Sequence, residues 1–118
     1  MSEEIKVDLS NIYAIAGGDD MFVMALLGKM VKSLPESYQR METAIASEDW
    51  PELKSAAHKA KSTFAYLSLD EMRDRLKDIE HNAMEGENLD QMPEMVESAL
   101  DLGNRILVVL KKEMAKLM

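Results

Sequence analysis

Apolar residues recur along this chain at spacings of three and four, and no stretch alternates apolar with polar as a half-buried strand does. Val23, Leu27, Met30, Leu34, Met41 and Ile45 fall on one face of a long helix. Met72, Leu76, Ile79 and Ala83 form a second stripe, and Met95, Ala99, Leu102 and Ile106 a third. Between Asp49 and Leu67 the stripe is Leu53, Ala57, Ala60, Phe64 and Leu67, with Ala56 beside it.

Helix punctuation separates these stripes. Asp8 suits the start of a short helix that ends at Gly17-Gly18, and Asp19 the start of a helix running to about Ser47. Pro35 falls inside that helix and removes a backbone donor, which predicts a kink or local break. Asp49 and Glu52 form a D-x-x-E start, Ser68 and Glu71 an S-x-x-E capping box, and Asn88 and Gln91 a looser equivalent. Gly86 closes the helix that Ser68 is expected to open, and Pro93 sits in the first turn of the last one. Connections of a few residues imply antiparallel neighbours. The pattern predicts an all-α protein, an antiparallel up-down four-helix bundle with a short N-terminal covering helix, as a single domain over 1–118. Trp50, at the first turn of the third helix, is expected to pack at the bundle end.

Composition narrows the chemistry. Among 118 residues, 22 Asp and Glu face 14 Lys and Arg, a net charge of −8 that argues against nucleic acid as a partner. The absence of cysteine excludes disulfides, thiolate metal sites and thiol catalysis. The longest apolar runs are too short to span a bilayer, and the opening Met1-Ser2-Glu3-Glu4 is acidic where a secretory signal would be basic, so a cytoplasmic protein is expected. Di-metal sites in helical bundles need inward Glu-x-x-His pairs, and none occurs.

One segment carries a different signal. At about 100° per residue, His58 points roughly 150° away from the apolar stripe of its helix, toward solvent. Lys54 and Ser55 precede it by one turn on the same side, and Lys61 and Ser62 follow by one turn. From Leu53 through Leu69, 17 residues contain no Asp or Glu. A basic spot on an acidic protein suits an anion. A neutral imidazole with a free ring nitrogen can attack an activated phosphoryl group, and a nearby ammonium can offset the charge of its oxygens. Ser55, Ser62 and Ala65 are small and leave the surface flat enough for another protein to approach. His81, the other histidine, has Lys77, Asp78, Met84 and Glu85 as one-turn neighbours and reads as an ordinary surface residue.

The segment Ala57-His58-Lys59-Ala60-Lys61-Ser62, followed by Leu67-Ser68, resembles the A-H-x-L-K-G…G motif of histidine-containing phosphotransfer (HPt) domains. Asp8-Leu9-Ser10 through Gly17-Gly18-Asp19-Asp20 is similar to the family's opening helix and glycine turn, and Glu48-Asp49-Trp50 to the acidic-Trp start of its histidine helix. The resemblance implies a phosphocarrier that is not itself an enzyme. His58 would take a phosphoryl group from a receiver-domain aspartate and pass it to another, with Lys61 stabilising the group. Partners would be receiver domains of response regulators or hybrid histidine kinases. The chain would need no cofactor of its own, since the receiver supplies Mg²⁺, and it would act as a monomer. The family often sets a polar side chain from the following helix beside the imidazole; Lys77, Glu80 and His81 lie near that height here, and Glu80 is the position it points to. Its apolar docking patch draws on its first two helices, which points to Met21, Met24 and Phe22, joined by Tyr13 or Ile12. Ser62 and Ser68 depart from the motif's glycines and Ala60 from its leucine. Ser62 on the docking face keeps open an alternative, a helical adaptor that docks receivers without transfer.

Overall fold

The computed structural model describes residues 5–118, and the acidic opening Met1–Glu4 lies outside them. Five helices follow in order: α1 (Ser10–Ile15), α2 (Asp20–Ser47), α3 (Trp50–Tyr66), α4 (Asp70–Glu85) and α5 (Met92–Lys116). No strand occurs among the described residues. Contacts run α2 to α3, α3 to α4, α4 to α5 and α5 back to α2, which closes an all-α four-helix bundle, with α1 lying on α2. Cross-helix bonds tie the bundle together: Arg40 to Glu52 between α2 and α3, Arg75 to Ser98 between α4 and α5, and Tyr38 to Gly103 between α2 and α5.

The helix ends follow local chemistry. Asp8 Oδ1 accepts from the Ser10 amide at 2.9 Å and from its hydroxyl at 2.6 Å, holding the start of α1. Gly17 and Gly18 take φ of +64° and +81°, a left-handed turn that returns the Gly18 amide to the Tyr13 carbonyl. Asp19 caps α2 through the Met21 amide, and Asp49 caps α3 through the Glu52 amide.

Three expectations need correction. Ser68 does not open α4. It sits at φ +57° just past the end of α3, and the amides of Ser68 and Leu69 close back onto Ala65 and Phe64. This is the left-handed helix stop that glycine fills most cheaply, which explains the glycine in the motif at this position. Leu69 takes the cap position of α4 without a side-chain bond, and Glu71 pairs with Arg75 instead. Asn88 likewise does not cap α5. It adopts φ +53° and its side-chain Nδ2 donates to Asn82 Oδ1 at 3.4 Å. Pro35, finally, does not break α2, which stays helical from Asp20 to Ser47. Its ring faces solvent, where water can serve the carbonyl left without a donor.

The core lies along the four predicted stripes. Phe64, Leu27, Met41, Leu76 and Ile106 are among its fully enclosed side chains. On α3 the buried residues include Ala56, Ala57 and Ala60, whose small side chains let neighbouring helices lie close to its backbone. Met30, Ile45 and Met95 are only partly enclosed, at the margins of their stripes. The stripes omitted Tyr38 and Gly103. Tyr38 is buried and its hydroxyl donates to the Gly103 carbonyl at 2.9 Å. A Cβ at position 103 would stand 2.7 Å from that hydroxyl oxygen, so the contact requires glycine in the middle of a helix. Burial pushes the Tyr38 phenol well above its usual range and keeps it a donor.

Candidate functional site

Leu53, Ala57, Ala60 and Phe64 turn one side of α3 inward, which leaves His58 in mid-helix on the outer side with its side chain 63% exposed. Its Nδ1 lies 2.6 Å from Glu80 Oε2, and Lys61 Nζ donates to Glu80 Oε1, also at 2.6 Å. One carboxylate from α4 therefore joins two residues that stand one turn apart on α3. The Glu80 side chain is largely enclosed, only 16% exposed.

Electrostatics fix the proton. Burial pushes the Glu80 carboxyl up, but hydrogen bonds from Lys61 and His58, together with their charge, outweigh it and hold the group below its ordinary value of 4.5. Glu80 is thus ionised at neutral pH and can only accept. The proton on the neutral imidazole then belongs on Nδ1, which leaves the Nε2 lone pair on the opposite edge of the ring.

A shallow groove beside the ring is lined by Pro51, Lys54, Ser55, His58 and Glu80. Ser55 Oγ lies 3.4 Å from Arg40 Nη2, and Arg40 forks onto Glu52 at 2.8 and 2.9 Å. No local spacing marks this fork, because Arg40 stands on the preceding helix, twelve residues from its partner. The usable signal was the antiparallel pairing of α2 with α3. The absence of acids between Leu53 and Leu69 is also offset in space, since Glu80 brings a carboxylate onto that face from α4.

Lys54, Ser62 and Ala65 are all exposed, Lys54 and Ser62 one turn to either side of His58. Met21 (76% exposed) and Phe22 (48%) are open to solvent, and Met24 is half-buried. Ile12 is buried in the core, so it does not belong to an exposed patch, whereas Tyr13 is half-buried. The bond from Arg40 to Ser55 sets His58 level with about Ser37 on α2, so Phe22 lies roughly 20 Å further along the bundle. The structure brings His58, Lys61 and Glu80 together, with Lys54 and Ser55 alongside; Met21, Phe22 and Met24 stand apart. His81 has Glu87 Oε2 at 3.7 Å from its Nε2, both exposed.

The structure is thus a helical bundle with an exposed histidine on its third helix, bonded to a carboxylate that a lysine also holds. In comparison with protein families, the Hpt domain model matches residues 25–117, and the chain belongs to the Hpt domain family. Hpt domains are phosphocarriers, not kinases, that act in phosphorelays and interact with receiver domains of two-component systems. The match begins after α1 and leaves Met21, Phe22 and Met24 outside it. Neither curated proteins nor solved structures gave a match. No helix among the described residues is long and apolar enough to cross a membrane.

Proposed function

We propose that this chain is an active histidine phosphocarrier, accepting a phosphoryl group on His58 Nε2 from a receiver-domain aspartyl phosphate and passing it to a second receiver. The observation that carries this is the 2.6 Å contact between His58 Nδ1 and an ionised, enclosed carboxylate. It holds the ring in the tautomer whose exposed nitrogen is the nucleophile. The Nε2 lone pair attacks phosphorus as the bond to the aspartyl oxygen breaks, and the receiver carboxylate leaves. The product imidazole carries a positive charge, which the Glu80 carboxylate balances through Nδ1–H. Lys61, bonded to the other oxygen of Glu80, offsets that carboxylate so that it does not oppose the incoming group. In the return direction the same steps run backward.

Docking would use the exposed side of α3 together with the start of α2. A standard interface of about 800 Å² per partner is roughly 30 Å across, enough to cover both His58 and the Phe22 region. Mg²⁺ and the acidic pocket come from the receiver, and a single copy of the chain suffices.

Incubation with a radiolabelled phospho-receiver and Mg²⁺ should transfer label to this chain in a form that is acid-labile and alkali-stable. His58→Gln should abolish it. Receiver binding without transfer from any phospho-receiver tried would instead favour the adaptor reading, and retention of label in His58→Gln would move the acceptor elsewhere.

A further inference from the structure

Resting on the phosphocarrier reading, we infer that Lys54, not Lys61, is the cation that meets the phosphoryl oxygens on His58. Lys61 is already committed: its ammonium lies 2.6 Å from Glu80, and its side chain is only 25% exposed. Glu80 meets the ring at Nδ1, and Lys61 meets Glu80. Phosphorus bonds to Nε2, on the other edge of the ring from the nitrogen that Glu80 holds, so Lys61 would have to leave Glu80 to reach a group there.

What it looks toward follows from helix geometry. Side chains on a helix lean toward its N-terminus, so the ring of His58 lies over the turn that carries Lys54 and Ser55. The groove agrees, being lined by Pro51, Lys54, Ser55, His58 and Glu80 and not by Lys61. Lys54 is exposed and has no ion-pair partner among the described residues. The nearest acid on its own helix, Glu52, is engaged by both arms of the Arg40 guanidinium. Lys54 is a long, flexible point charge one turn from the nucleophile and costs nothing to recruit from another partner. In the step, the N–P bond forms as the P–O bond to the receiver aspartate breaks. The three remaining phosphoryl oxygens carry the charge throughout, and an ammonium beside them favours both the transition state and the phosphohistidine.

The test uses phosphoramidate, so that receiver docking does not enter. Its P–N bond breaks as the bond to His58 forms, and ammonia leaves. Label on His58 is followed by ³¹P NMR in the full chain and in Lys54→Arg, Lys54→Ala and Lys54→Glu, each checked for helix content and melting temperature. Wild type should label; Lys54→Ala should label about three- to tenfold more slowly, Lys54→Glu more slowly still, and Lys54→Arg close to wild type. A rate that follows charge in this order at unchanged melting temperature is not what a structural role produces. Rates independent of residue 54 would overturn the inference and leave the phosphocarrier reading standing. A wild-type chain with no label on His58 would remove both.

Discussion

The two histidines of this chain occupy neighbouring helices and are similarly exposed, at 63% for His58 and 56% for His81, yet their surroundings differ in kind. Each faces a carboxylate. That of His58 is largely enclosed, 2.6 Å away and balanced by a lysine, whereas that of His81 is 58% exposed and 3.7 Å away. Exposure alone therefore does not mark a reactive imidazole. A proton donated to a fixed acceptor does, because it settles which nitrogen is free.

The largest break in this comparison comes from removing each ring in turn. His58→Gln should take up no label from a phospho-receiver, while His81→Gln should label at the wild-type rate, as read by autoradiography of the separated chains. Next in size is the removal of each carboxylate. Glu80→Ala should let both tautomers of His58 populate, visible in long-range ¹H–¹⁵N NMR of the imidazoles, and slow labelling about tenfold. Glu87→Ala should leave the His81 spectrum and the labelling rate within about twofold of wild type.

A smaller effect separates the two sites by pH. Glu80 is held below 4.5 in the folded chain, so its contribution to stability is complete above that value and is lost as pH falls through the lower folded-state value. The urea midpoint of wild type minus that of Glu80→Gln should therefore be positive at neutral pH and shrink as the pH falls below 4.5. At neutral pH, Glu87→Gln should move the midpoint by less than Glu80→Gln, because the Glu87 side chain is 58% exposed and 3.7 Å from its partner. Smallest is Ser68→Gly at the stop between α3 and α4. Relief of the left-handed backbone should raise stability by about 0.5–1 kcal/mol in the same urea assay, with labelling unchanged.

The stripes of α2 to α5 were legible because one face of each helix is apolar at a steady period; counting levels down a hairpin brought Lys77, Glu80 and His81 near the height of His58, and the resemblance pointed to Glu80 among them. What failed had local causes. Ser68 followed three residues later by Glu71 reads the same whether the serine opens a helix or ends the one before, and only the backbone angle separates these. Tyr38 and Gly103 meet 65 residues apart, a pairing that depends on how α2 crosses α5 and not on any motif. Arg40 and Glu52 escaped for the same reason. The acid-free run around His58 was real along the chain but not in space, because charge on a bundle face is summed over two helices.

His58, Glu80 and Lys61 all belong to the hairpin of α3 and α4. The exposed apolar residues Ile15, Met21 and Phe22 belong to a different part of the chain, α1 and the start of α2. On the function proposed above, the reacting imidazole and the apolar docking surface would therefore lie in different segments of the chain. Under that proposal, exchanging this segment for that of a relative should change which receivers dock while leaving the His58–Glu80–Lys61 contacts in place.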